Sequence, residues 1–161
     1  SFFSAYRIAF DAGSLIRYNS SLFTFLLCLR PSLITTNWFG NTYFFASIRV
    51  FFVTALLLIF YHFPFWKKLM VIIILMILLP NSSADYRLIM LLIPMLFYVT
   101  SNEISKLDFL ITSLLGLIFI PKAYFLIDGD VNLGTLLNPL LLVALLFLLI
   151  SSSTMPKNRT W

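Results

Sequence analysis

The chain has 161 residues, of which 61% are hydrophobic and only 11% charged. A soluble domain carries about a quarter of its residues as ions, so this composition excludes an ordinary water-facing surface and points to a bilayer as solvent. The net charge is +5, from eleven Lys and Arg against six Asp and Glu; the cations sit singly at the ends of apolar runs, with no basic patch interleaved with aromatics, which excludes nucleic acid and suits lipid phosphates or a phosphorylated lipid.

Residues 1–43 differ from the rest of the chain. Arg7, Asp11, Arg17, Asn19 and Arg30 interrupt the apolar positions, and Pro31 and Gly40 break the run. This part reads as an interfacial region of surface-lying helices and a loop. Within it, Ser20 or Ser21 is placed to cap a short helix, Leu22 to Leu29. The single cysteine, Cys28, excludes an internal disulfide and a thiolate metal cluster. The chain starts at Ser1 without a signal-peptide pattern, and its opening reads as the middle of a larger polytopic protein, of which this is a C-terminal fragment.

Residues 44–151 form the expected transmembrane helical region, with five apolar segments. Phe44 to Phe63 has the length of one hydrocarbon thickness, about 30 Å, with Arg49 about one turn inside it. Leu69 to Pro80 and Leu88 to Thr100 are shorter; they read either as thin spans or as the arms of a re-entrant hairpin. Leu107 to Ile127 is long enough to span, with Pro121 and Lys122 near its far end. Leu136 to Ser151 completes the set, and 152–161 is a polar tail. Aromatics gather where interfaces belong, at Phe44 and Phe45, Tyr61 to Trp66, Tyr98, and Tyr124 with Phe125. The fold class expected is therefore all-α, a polytopic transmembrane helical bundle. Its orientation stays open. Lys67, Lys68, Lys106, Lys157 and Arg159 lie on one side and Arg7, Arg17, Arg30, Arg87 and Lys122 on the other, a tie under the positive-inside rule.

The stretch Asn81-Ser82-Ser83-Ala84-Asp85-Tyr86-Arg87 places polar groups between two greasy segments. Ser82 or Ser83 is positioned to cap the next helix, Asp85 suits the positive end of its dipole, and Tyr86 suits an interface. Arg87 opposes that dipole at a cost of about 0.3–1 kcal/mol, and Asp85, two positions away, does not share its face. The compensation is a lipid headgroup, another segment or an anionic ligand. Arg49 reads as snorkelling to the near interface, with Asp85 or Asp108 as alternative partners. Asp128-Gly-Asp130-Val-Asn132 opens like a calcium loop. Leu133 then stands where the turn glycine belongs and Pro139 where the bidentate Glu belongs, so a carboxylate turn is the better reading and no metal site is expected. His62 lies among interfacial aromatics without an acidic neighbour. No paired carboxylates, Ser-His-Asp set or glycine-rich phosphate loop is present, so no cofactor is expected and the catalytic residues are unknown.

Two stretches resemble one family. Tyr18-Asn19-Ser20-Ser21-Leu22-Phe23-Thr24-Phe25-Leu26 resembles the Asn-x-Ser-Leu segment of glycosyltransferase family 87, which precedes a short helix and a run of spans. Ser82-Ser83-Ala84-Asp85-Tyr86-Arg87-Leu88 with Pro94 is similar to that family's later Ser-x-Asp-(His/Tyr)-x-Leu segment. Ser20 replaces the common Gln and Tyr86 the frequent His. The resemblance implies a membrane enzyme of the GT-C type in a bacterial plasma (inner) membrane. Such an enzyme transfers a hexose such as mannose from a polyprenyl-phosphate donor to a glycolipid or glycan acceptor. It also implies an acidic base in the first outer loop, which would precede Ser1. On this reading Arg87, Asp85, Tyr86 and Asn19, with Lys122 and Arg17, line the substrate site. An envelope-polysaccharide polymerase or ligase and a membrane transporter are the alternatives.

Overall fold

The computed structural model describes residues 19–29, 37–80, 83, 85–101, 107–122, 126–128 and 131–151. Arg17, Asn81, Ser82, Asp130 and the tail 152–161 lie outside them.

The described residues are helical apart from one small ribbon. Helix α1 is Leu22–Leu29, α2 is Asn37–Phe60 and α3 is Phe65–Leu78. A 3₁₀ helix over Asp85–Leu91 runs into α4, Leu92–Thr100. Helix α5 is Asp108–Phe119 and α6 is Leu133–Ser151. Between them strands β1, Leu126–Asp128, and β2, Val131–Asn132, pair antiparallel, with Leu126 opposite Asn132 and Asp128 opposite Val131.

Two helices are long and apolar enough to cross a membrane, α2 from Trp38 to Phe60 and α6 from Leu133 to Ser151. The other three expected segments form shorter helices. At 1.5 Å per residue α3 reaches about 21 Å and α5 about 18 Å. The 3₁₀ helix and α4 together reach about 28 Å, because the tighter winding rises about 2 Å per residue.

Several helix ends differ from the expected apolar segments; α3, for one, runs from Phe65 to Leu78 instead of the expected Leu69 to Pro80. Helix α2 begins at Asn37, ahead of the apolar segment expected from Phe44. Packing carries the helix through Gly40 and Asn41: Phe23 of α1 stacks on Phe39 and Tyr43 with ring centroids 5.7 and 4.9 Å away. The Tyr43 hydroxyl donates to the Leu78 carbonyl at the end of α3, 3.3 Å away. The segment expected from Leu107 to Ile127 is helical only to Phe119. Ile120 is extended, with φ −63° and ψ 125°, because the ring of Pro121 disfavours a helical residue before it. The chain then turns into the ribbon, so Ile127 lies in a strand. Finally, α6 starts at Leu133, three residues early, and keeps Pro139 inside it.

The core sits on α3, which packs against α2, the 3₁₀ helix, α4 and α6, while α6 also packs against α1 and α5. Met70, Ile74 and Ile77 of α3 meet Leu91, then Ile111, Leu115 and Ile118 of α5 and Leu142, Leu145 and Leu149 of α6, all buried. The three-and-four spacing on α5 and α6 is the inward stripe of a packed helix.

Candidate functional site

The segments around Asn19 and Ser83 meet in space. Asn19 is buried, and its Oδ1 accepts hydrogen bonds from the backbone N–H of Ser21 at 3.0 Å and from that of Ser83 at 2.9 Å. The first is an Asx turn of the kind Asn makes two residues on; the second spans 64 residues of sequence. The Ser20 N–H donates to the Ser83 carbonyl at 2.7 Å. Both backbone groups of Ser83 are thus taken by Asn19 and Ser20, a two-sided clasp that leaves neither group unpaired.

Ser21 caps α1. Its Oγ accepts from the Thr24 N–H at 3.2 Å and lies 3.0 Å from the Thr24 hydroxyl, the geometry of an N-cap serine bonding three residues ahead. From the other side Asn138 of α6 donates its Nδ2 hydrogen to Ser20 Oγ at 3.2 Å. Thr135, one turn earlier, is also buried. Asn19, Ser20, Ser21, Thr24, Ser83 and Asn138 therefore form one buried polar knot joining the segment before α1, the segment before the 3₁₀ helix, and the start of α6. Ser83 does not cap the following helix, as its position had suggested. Its Oγ is buried without a hydrogen-bond partner, as is Asn138 Oδ1.

The knot holds hydroxyls and amides and no titratable group among the described residues, so it has no acid–base chemistry of its own. Its effect is to position the 3₁₀ helix beyond Ser83. Asp85 and Tyr86 open that helix, and Arg87, its third residue, is half-buried. A seven-residue 3₁₀ run exceeds the usual three or four. Pro94 comes one turn later, where its missing N–H falls in the first turn of α4 and costs little.

Lys122 lies just beyond the end of α5 and is buried. Its Nζ donates to the carbonyls of Leu117 at 2.6 Å, Ile118 at 3.2 Å and Ile120 at 3.1 Å. An ammonium carries three hydrogens, and these contacts draw on them. They cap carbonyls left open when α5 stops, where a cation also favours the dipole. Lys122 thus ties the end of α5 to the residues that follow it. Asn19 likewise acts on the backbone, as the residue that ties the second stretch to the first.

A second polar cluster lies at the far end of α3, about 20 Å from the knot by helix length. The rings of Trp66 and Tyr98 are 4.7 Å apart, and Tyr98 shares side-chain hydrogen bonds with Asp108 and Thr112. Lys67 is buried, its Nζ 4.5 Å from the Phe63 ring centroid, within cation–π range. By sequence alone Lys67 and Lys68 read together as interfacial charge. The helical register carries the signal that separates them: Lys67 shares a face with Met70, Val71 and Ile74, all buried. Asn138 also escapes a reading by sequence, and its signal is a lone amide inside an otherwise apolar segment.

No protein-family model, curated protein or solved structure matches this chain.

Proposed function

We propose that the chain is part of a polytopic membrane glycosyltransferase of the bacterial plasma membrane, transferring a hexose such as mannose from a polyprenyl-phosphate donor to a glycolipid or glycan acceptor. One observation supports this reading above the others: the Asn19 amide fastens the first family-like stretch to Ser83 in the second. Two short motifs far apart in sequence then act as one site, with Arg87 on the helix that the clasp launches.

The chemistry needs a cation for the donor phosphate, and Arg87 supplies it. A guanidinium offers paired N–H donors to phosphate oxygens, and such charge-assisted bonds are about twice as strong as neutral ones. Asp85 and Tyr86, beside it in the motif, contact the sugar. The five apolar segments act as one bundle, in which α2 and α6 span the bilayer and the shorter helices surround a site that opens at the surface nearest the knot. An acidic group outside these residues deprotonates the acceptor hydroxyl as general base.

The test is transfer of radiolabelled mannose from polyprenyl-phosphate mannose in membranes expressing the gene. Arg87→Ala should lower transfer by about a hundredfold, the loss of a charged hydrogen-bonding partner for phosphate, with membrane content unchanged. Arg87→Lys should fall in between, because lysine keeps the charge and loses the fork. Unchanged transfer in Arg87→Ala removes Arg87 from the site. Wild-type membranes inert toward polyprenyl-phosphate hexoses overturn the reading itself.

A further inference from the structure

Helix α2 buries one seam. Tyr43, Ser47, Phe51 and Leu58, spaced at helical intervals, are buried or half-buried against the rest of the bundle. The opposite face is exposed along its whole length, and Phe45, Arg49, Phe52, Val53 and Leu56 lie on it. At about 100° per residue Arg49 points away from Ser47 and Leu58.

The helix places this arginine at the centre of the span. Trp38–Phe60 has 23 residues, so Arg49 is its middle residue, and each end is about 16 Å away. That is roughly twice the reach of an extended arginine side chain, so snorkelling to a headgroup leaves the guanidinium inside the hydrocarbon. Counted from Phe44, as the sequence pattern suggests, Arg49 would have stood near an interface. Arg49 makes no hydrogen bond or ion pair with the described residues. Ionisable groups at this depth almost always face a bundle interior or pair with one another.

We infer that the Arg49 face of α2 is an interface for a further transmembrane helix that carries an Asp or Glu near its midpoint. Charge selects this occupant. A second copy of the chain packing through the same face would set Arg49 against Arg49. The carboxylates on its described helices do not answer that charge either: Asp85 and Asp108 stand at the starts of their helices, and Asp108 is engaged with Tyr98. Lipid tails offer the guanidinium no acceptor. A helix with a mid-depth carboxylate offers a paired, charge-assisted bond, and Phe45, Phe52, Val53 and Leu56 supply the apolar rim that keeps water from it.

The experiment is site-specific photocrosslinking in the native membrane, with a photoreactive phenylalanine at Phe52 and, as the inward control, at Phe51. The expected adduct at position 52 is a polypeptide whose crosslinked peptide, identified by mass spectrometry, lies in a transmembrane helix within one turn of an Asp or Glu. Arg49→Leu should lower its yield about tenfold, and Arg49→Glu should regain it when that acid is changed to Arg. Position 51 should give only internal crosslinks. An adduct unaffected by Arg49→Leu overturns the inference. So does an adduct with lipid alone, with a second copy of the chain, or with residues 1–18. Arg49→Leu makes α2 more apolar and eases its insertion, so lost crosslinking cannot be laid to a failure to enter the membrane.

Discussion

Helices α2 and α3 are neighbours in sequence and space, and both are built of the same apolar residues. Yet α3 buries nine of its fourteen residues, whereas only 11% of the α2 span is buried. In water such a difference would show as a polar face on the exposed helix. Here it does not, because lipid is as good a solvent for Leu and Phe as the protein interior. What separates the two helices is the fate of their cations. Lys67 of α3 is enclosed beside the Phe63 ring, whereas Arg49 of α2 stands outside. In a chain of this composition the ionic and hydrogen-bonding residues, and not the hydrophobic pattern, report which faces meet protein.

The comparison breaks most sharply under truncation. Ile74 lies at the centre of the core and is fully buried, so Ile74→Ala should cost about 2–5 kcal/mol through the cavity it leaves. Phe52→Ala on α2 removes a larger side chain from an exposed face and should cost less than about 0.5 kcal/mol. Unfolding titration in bicelles with denaturing detergent measures both. Equal costs would mean that α2 is buried in the same sense as α3.

The knot sharpens the comparison by a second route. Asn19→Ala removes the acceptor of two buried backbone N–H groups, and leaving a buried donor unmet costs about 1–3 kcal/mol. A loss of about 2–3 kcal/mol is expected in the same titration. Asn19→Asp keeps the acceptor and should lose less. A loss under about 0.5 kcal/mol for Asn19→Ala would mean that water satisfies the two N–H groups in its place.

How much of this is legible in the sequence depends on the range of each interaction. Helix α1 can be read to the residue and its cap to one of two serines, Ser20 or Ser21, because N-cap chemistry acts within four residues. The far end of the fourth segment is over-run although Pro121 is in view, since apolar residues beyond it continue a hydrophobic run that the backbone does not follow. The start of α2 is misjudged because Gly40 and Asn41 look like breakers, and only contacts with Phe23 and Leu78 hold them in a helix. The clasp between Asn19 and Ser83 has no periodicity. Each partner stands out for its local polarity, and their meeting depends on how α2 and α3 fold back between them.

Lys122 carries the smallest expected effect and the closest contrast with Arg49. Arg49 lies within α2 and Lys122 just past the end of α5, but Lys122 has found three carbonyls there. Lys122→Met keeps the length and apolar stem of the side chain and removes the donors, leaving the last carbonyls of α5 to bond elsewhere. Surface-accessible helix ends recover part of such a loss from water, and the dipole term itself is about 0.3–1 kcal/mol. A cost of about 1 kcal/mol is therefore expected, with fraying of α5 visible as faster amide exchange at Ile118 to Ile120. Arg49→Met in the isolated chain should leave both the midpoint and the exchange unchanged, because its partner lies outside these helices. Were Arg49→Met the more damaging of the two, the guanidinium would have a partner within the chain, and the distinction between an enclosed cation and one awaiting its acid would fall.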